Sequence, residues 1–480
     1  MISKREILDL ATQTGLQPHV VEKDYVIGWL LAGINQAQEL KDTWVFKGGT
    51  CLKKCYFETY RFSEDLDFTL LDPSHIDEVF LQQAFSGIAA WVYDSSGIEI
   101  PADRLIFEIY RNPRGIDACQ GRVYYRGPVT PEGKHSVPRV KLDLTAGEVV
   151  VEAPVIRPVR HDYSDLPPGG INILSYSYVE VFAEKIRALK ERTRPRDLYD
   201  VINFFRRPES LELVAEVRAA LTRKCEYKGI GFPQLKDVEA QKETCSSGWR
   251  DQLSHQLQAL PPFESFWSEL PGFFSWLEHL ERIAVAALPA IPGFSSAESI
   301  ATLRPGMPQL DRLDRVRFAA MNRLCVELDY RKENGERNHY LIEPYSLRVT
   351  ADNNVVLYGV KLPDGVIRSF RTDRIISAVV SDRAFVPRYS VEFIPAGSVR
   401  LSGGLSTGQS RHLPGGGSSL PNVKAPRKGT SGGALRYIFR CTVCGKQFTR
   451  STFDATLKAH KNKQRLPCYG RHGEYVKTTN

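Results

Sequence analysis

The spacing of apolar and polar residues predicts a helical start to the chain, because Ser3 followed by Glu6 has the form of a capping box and residues 20–34 (VVEKDYVIGWLLAGI) carry a helical apolar repeat. The second of these helices is expected to be amphipathic. Period-two alternation then predicts strands at 44–46, 65–70 and 139–145. Two further helices, 178–192 and 197–206, are broken at Pro195, and the pattern stays helical to about residue 290 with Trp249, Phe263 and Trp267 as aromatic anchors. Residues 1–290 therefore form an α+β unit with a helical C-terminal part.

Beyond it, residues 287–299 are rich in Pro, Gly and Ser and predict a linker, after which short β-type runs alternate with turn signals such as Asn334-Gly335 and Asp364-Gly365. This makes 300–395 a small β domain. Residues 396–433 are Gly-, Pro- and Ser-rich and lack the apolar surface needed to order a chain, so they are expected to be a disordered linker. The last block, 434–480, is short, basic and cysteine-bearing. A length of 480 residues agrees with such a multidomain plan.

Charge sharpens this picture. The net +8 is carried by the tail: from Lys424 onward thirteen Lys and Arg face only Asp454 and Glu474, so the rest of the chain is slightly acidic. The tail is the part expected to meet polyanions. The early charge in MISKREILDL and the absence of a long apolar run predict a cytoplasmic protein with no membrane partner. Three of nine cysteines fall in the last forty residues, which suits a local metal site in a reducing compartment better than a disulfide framework.

The candidate chemistry starts at Lys47-Gly48-Gly49-Thr50, where a short strand ends in paired glycines and runs into a helix. Such a turn lets backbone amides approach phosphate, although a plain turn has the same sequence. In Ser63-Glu64-Asp65-Leu66-Asp67-Phe68-Thr69-Leu70, alternation buries Leu66, Phe68 and Leu70 and sets Asp65 and Asp67 together on the other face. Two carboxylates so placed repel one another unless a cation joins them, and Mg²⁺ held by one or two carboxylates and substrate phosphates is a common solution. The strand at 139–145 places Asp143 on its polar face as a third acid. A solvated acidic face is the competing account of all three.

Residues 46–71, with this Gly-Gly turn and Asp-x-Asp, resemble the signature of the AbiEii/AbiGii toxin-type nucleotidyltransferases, a branch of the DNA polymerase β-like superfamily. Glu22-Lys23-Asp24-Tyr25, Glu184-Lys185-Ile186-Arg187-Ala188 and Arg194-Pro195-Arg196-Asp197-Leu198-Tyr199-Asp200 fit the same pattern. The resemblance implies transfer of a nucleoside monophosphate from an NTP to an acceptor, in some relatives the 3′ end of tRNA, and a toxin or phage-defence role with a cognate antitoxin. It implies Asp65, Asp67, Asp143, Lys185 and Asp197 as catalytic residues, and Lys47, Gly48, Gly49, Thr50, Ser63 and Lys185 as nucleotide-binding ones. Asp65 and Asp67 would hold Mg²⁺, as a two-ion site.

Residues 322–393 resemble a WYL domain, an Sm-like β-barrel, through Leu328-Asp329-Tyr330-Arg331, Ile342-Glu343-Pro344-Tyr345-Ser346-Leu347 and Ser369-Phe370-Arg371-Thr372-Asp373-Arg374-Ile375. Val355-Val356-Leu357 replaces the namesake tripeptide. Arg371 and Arg374 are candidate anion contacts there, or solvated surface arginines. In the tail, Cys441, Cys444, His460 and Cys468 form a structural Zn²⁺ set, with His472 as an alternative to Cys468. Zinc would fold this small module, and its charge with Phe448, Phe453 and Tyr469 suits RNA or DNA binding. The sequence as a whole predicts a nucleotidyltransferase. The rival is a regulator that binds ligand or nucleic acid on the same fold without turnover.

Overall fold

The computed structural model describes residues 1–57, 61–112, 114–130, 137–278, 288–294, 298–301 and 310–393, and in a separate C-terminal unit 436–441, 444, 446–450, 457–458, 460–461, 467–468 and 473–479. The expected linker 396–433 and His472 lie outside the described residues, as do Phe453 and Tyr469.

Helix α1 (Lys4–Thr14) begins where Ser3 accepts a hydrogen bond from the Glu6 amide. The Glu6 side chain does not return to the cap but binds Ser164, so the expected box is half used, and its other half ties the N-terminus to a distant loop. Helix α2 (Pro18–Gln36) corrects the expected amphipathic helix: every residue from Val20 to Ile34 except Lys23 is buried. Its buried charged residues, Glu22 and Asp24, have partners, as the cost of burying an unpaired charge requires.

The three expected strands belong to a seven-stranded mixed sheet. The strands are β1 (Trp44–Lys47), β2 (Asp65–Leu70), β3 (Leu105–Arg111), β4 (Asp117–Tyr124), β5 (Arg139–Ala146), β6 (Val155–Val159) and β7 (Ile171–Ser175), in the order β3-β4-β5-β2-β1-β7-β6. β2 runs parallel to β5 and β1 parallel to β7, while the other neighbours are antiparallel. Between β1 and β2 lie the short helix α3 (Gly48–Cys51) and a wider π-type turn (Leu52–Tyr56); α4 (Glu78–Ser96) leads on to β3. Helix α5 (Tyr178–Arg192) is capped by Ser177, and α6 (Pro195–Phe205) starts with Pro195 in its first turn, where a missing N–H costs nothing. Further helices follow to residue 278, anchored by buried Trp249 and Trp267 on either side of Phe263, Trp249 meeting its ring edge-on.

The second sheet consists of β8 (Ser299–Ile300), β9 (Leu324–Arg331), β10 (Arg337–Val349), β11 (Val355–Leu362), β12 (Val366–Arg371) and β13 (Ile375–Ala384). Its pairing runs β12-β11-β10-β9-β13, with β8 on β10. Among the described residues this is an open path, without the β12–β13 pairing that would close the expected barrel. The sheet and the helix Leu310–Met321 pack onto the first domain: the Tyr199 hydroxyl donates to Asn322 at 2.8 Å and Arg315 donates to the Gln13 carbonyl at 3.0 Å. No helix of the described residues is long and apolar enough to cross a membrane.

Candidate active site

β2 and β5 lie side by side in register, so Asp65 stands opposite Lys141 and Asp67 opposite Asp143. Strand alternation buries Leu66, Leu142 and Leu144 on one face and presents the three aspartates on the other. Burial first, and then the Asp143 and Asp65 charges, push the Asp67 carboxyl up to about 6, although Lys47 opposes the shift. Asp143 is raised for the same reasons, burial and neighbouring Asp65 and Glu148. Its Oδ1 is buried and has no hydrogen-bond partner among the described residues.

Gly48, at φ +80°, makes this crowding possible. A Cβ there would lie 2.0 Å from Asp67 Oδ2, so only glycine lets the turn after β1 close over the carboxylate. Gly49 is also closely packed: a Cβ there would lie 2.7 Å from an Arg61 nitrogen and 3.0 Å from the Ser63 hydroxyl.

Opposite the acids, the junction of α5 and α6 supplies cations. Lys185 lies 2.8 Å from Asp200 and 3.4 Å from Asp197, Arg192 binds Asp197 through two nitrogens, and Arg61 binds Asp200 through two at 2.8 Å. Burial alone would raise the Asp200 carboxyl, but Arg61 and Lys185 outweigh it and hold it well below the usual carboxylate range. The Nε of Arg196 is buried without a hydrogen-bond partner among the described residues. The two walls enclose a cleft of about 520 Å³, a size usual for small-ligand sites.

The cleft brings together Asp65, Asp67, Asp143, Lys185, Asp197, Gly49 and Ser63 of the expected set. Lys47, the register partner of Asp67, and Thr50 do not line the cleft. The Lys47 ammonium is engaged by Thr145 and Glu148, and Thr50 is buried, its hydroxyl donating to the Asp65 carbonyl. Sequence reasoning missed Arg61, Arg192, Arg194, Arg196 and Gln252, which also line the cleft. The alternating run Arg192-x-Arg194-x-Arg196 was the available signal. It also left unexplained Glu22-Lys23-Asp24-Tyr25, which pins four segments around the site: Glu22 accepts from the Val129 and Thr130 amides, Lys23 pairs with Glu64, Asp24 with Lys54, and Tyr25 with Asp165.

A family model described as nucleotidyl transferase AbiEii toxin, type IV toxin–antitoxin system, matches residues 29–278. The chain belongs to the AbiEii nucleotidyltransferase toxin family. A WYL domain model matches residues 311–380. Among solved structures, MenT4, a nucleotidyltransferase toxin from Mycobacterium tuberculosis H37Rv, is similar at 18% identity and a TM-score of 0.41 over 59% of this chain and 91% of its own. Proteasome accessory factor B/C of Arthrobacter aurescens is similar at 23% identity and a TM-score of 0.16, over 21% of this chain and 16% of its own. No match was found among curated proteins. This AbiEii-family chain is thus a nucleotidyltransferase with an appended WYL domain.

In the WYL domain both candidate arginines are already paired, Arg371 with Asp373 at 2.8 Å and Arg374 with Glu333 at 3.2 Å. In the C-terminal unit, ligand atoms of Cys441, Cys444, His460 and Cys468 all lie within 4.8 Å of one another. Cys441 and Cys468 sulfurs are 3.8 Å apart, close to the spacing of about 3.8 Å that two thiolates take on a tetrahedral zinc. Cys444 Sγ is 3.4 Å from His460 Nε2, and His460 Nδ1 faces the Lys458 carbonyl at 2.9 Å, which leaves Nε2 free to bind metal.

Proposed function

We propose that this nucleotidyltransferase moves a nucleoside monophosphate from an NTP to a hydroxyl of a nucleic-acid acceptor in a Mg²⁺-dependent reaction, the 3′ end of tRNA being one acceptor of suitable chemistry. The observation that carries the reading is the pairing of Asp67 with Asp143, next to Asp65, across one cleft from Arg192, Arg194 and Arg196. Acids on one wall and cations on the other suit a metal-bound triphosphate, which presents both charges.

The donor set fits a hard divalent cation: three carboxylates, one with a buried oxygen that has no partner among the described residues, and one raised to about 6 by burial first and then by neighbouring carboxylates whose repulsion a cation would relieve. Asp65 and Asp67 would hold it, with Asp143 beside them; when bound, the ion supplies charge neutralisation for the phosphates. The chain's residues do the rest. Gly48 and Gly49 fix the turn beneath the phosphates, and Lys185, positioned by Asp200, faces the leaving pyrophosphate with Arg196. Asp143 is suited to take the proton of the acceptor hydroxyl as its oxygen attacks the α-phosphorus and the bond to pyrophosphate breaks.

The toxin and phage-defence role would follow from modification of a cellular RNA, held in check by an antitoxin. The C-terminal Cys₃His set would take zinc and hold the basic tail folded for nucleic-acid contact. Incubation with α-labelled NTPs, Mg²⁺ and total RNA tests the reading: the wild type should label RNA and the double variant Asp65→Ala, Asp67→Ala should not. Label in no RNA, DNA or protein would leave a silent binding protein as the account.

A further inference from the structure

We propose that Asn322, which the WYL domain contributes, is a positioning residue of the transferase site: it holds α6 in the rotation that sets Asp197 and Asp200 against the cations of the cleft. The proposal rests on the nucleotidyl-transfer reading and adds to that reaction a residue from beyond the segment that matches the AbiEii model. The cleft is lined by residues up to Gln252, so the influence of Asn322 passes through α6.

The two sides of α6 do different things. Asp197 and Asp200 share the face that organises the cations, Asp197 taking Arg192 and Asp200 taking Arg61 and Lys185. Tyr199 lies between them in sequence, but at 3.6 residues per turn it stands about 130° round the helix from the middle of that face. Its hydroxyl donates to Asn322 Oδ1 at 2.8 Å, and both residues are fully buried. Arg206 caps α6 seven residues later and so lies on nearly the same stripe as Tyr199. It reaches the Met321 carbonyl at 3.5 Å while binding Glu269 and the Ser265 carbonyl. The back of α6 therefore meets the end of the helix Leu310–Met321 at two points.

Asn322 is itself held firmly. Its Nδ2 donates to the Phe318 carbonyl at 2.9 Å, so both ends of the amide are used. Arg323 follows at φ +56°, a left-handed conformation that a residue other than glycine keeps only where its surroundings enforce it. Its carbonyl accepts from the Phe385 amide at 2.9 Å, just past β13, and Leu324 opens β9, so the turn that presents Asn322 is tied to two strands. On the other side the Tyr199 ring stacks on Phe266, with centroids 5.1 Å apart and planes at 19°. Stacking keeps the helix close but lets it turn, whereas a hydrogen bond has direction and fixes the turn. The carboxylates of Asp65, Asp67 and Asp143 stand on β2 and β5, so a turn of α6 disturbs the cations and leaves the acids in place.

Full-length wild type, Tyr199→Phe, Asn322→Leu and the pair Tyr199→Phe plus Asn322→Leu are compared in three measurements. In transfer kinetics with α-labelled NTP and total RNA, each variant should raise the KM for NTP about fivefold, the size of one buried hydrogen bond, and leave the KM for RNA within about twofold. In calorimetric titration with magnesium pyrophosphate, where no transfer occurs, the Kd should rise by the same factor. The urea midpoint should fall in each single variant, which leaves one buried polar group unpaired, and recover in the pair, where both are gone. The Phe318 carbonyl keeps the Asn322 backbone amide as a donor throughout. A contact that only joins the domains would return KM and Kd to the wild-type values together with the midpoint, whereas a positioning bond leaves them raised in the pair.

If the wild type transfers label but the variants keep its KM for NTP, or if the pair recovers KM and midpoint alike, the role of Asn322 is overturned while the transferase reading stands. A KM for RNA that rises in step with that for NTP overturns it as well, since the whole site would then have loosened. If no label moves at all, the transferase reading fails, and the pyrophosphate titration still decides the role of Asn322: equal binding by wild type and variants, or none by the wild type, overturns it.

Discussion

Asp67 meets two neighbouring carboxylates at the floor of the cleft, and without a cation its ionised form is disfavoured, so Asp67→Asn should stabilise the metal-free protein while abolishing transfer. The rise from 3.8 to about 6 is roughly two units, or about 3 kcal/mol of cost when Asp67 is charged. Because the folded-state value lies above the unfolded one, the group's stabilising contribution is present below pH 3.8 and is lost as pH rises through about 6. The gain from Asp67→Asn in EDTA is therefore about 3 kcal/mol at pH 8, about half that at pH 5, and close to zero below pH 4. For a domain of this size the pH 8 gain corresponds to roughly 5–10 °C in Tm. Thermal unfolding followed by tryptophan emission, in EDTA at pH 8, 5 and 4, gives the three points. Mg²⁺ should reverse the order at pH 8 by stabilising only the wild type, with apparent affinity about tenfold weaker at pH 5, where most Asp67 is protonated. An asparagine variant no more stable than wild type at pH 8 in EDTA, or a gap independent of pH, would refute the idea that the cost of a buried carboxylate crowded by two others is stored in the site.

Other substitutions test separate parts of the argument. Gly48→Ala forces a side chain into the +80° backbone and onto Asp67, and should cost about 2 kcal/mol or more and at least a hundredfold in activity, read by denaturant unfolding and label transfer. Asp200→Ala leaves Arg61 and Lys185 without their shared buried acid and should cost about 3–5 kcal/mol in urea unfolding; a loss below 1 kcal/mol would show that the network carries little. Purified protein should carry one zinc per chain by elemental analysis, and Cys444→Ser should lose it; equal zinc in both would remove Cys444 from the set.

The site was legible where chemistry follows strand alternation. Period two alone set Asp65 and Asp67 on one polar face and Asp143 on the polar face of its own strand, and Pro195 marked the break between two helices, although α6 begins at Pro195 itself rather than at the expected 197 because a proline fits the first turn. Neither the pairing of β2 with β5 nor the four other strands of the sheet could be read, since register between segments some seventy residues apart is set by tertiary packing. The same limit hid Arg61, whose partner Asp200 is 139 residues away. Lys47 shows the same limit from another side. Its place beside Gly48 suggested phosphate contact, but a residue at the end of β1 points to whatever lies on that face of the sheet, and there Glu148 and Thr145 engage it. Helix α2 misled for a different reason: its charged residues looked like a solvent face, whereas Glu22 and Asp24 are buried and these two and Lys23 each tie to another segment.

That last feature explains how a cleft with so much unrelieved charge can persist. The cost stored at Asp67 and Asp143 must be met by rigidity around them, because a site free to relax would turn its carboxylates outward to water. The ties from Glu22, Lys23, Asp24 and Tyr25 reach the loop after β4, the residue before Asp65, the turn after Gly49 and the segment before β7. Arg61, Lys185 and Arg192 lock the opposite wall through Asp200 and Asp197. With both walls fixed, neither can neutralise the other, and the charge of each is left for a ligand that carries metal and phosphate together.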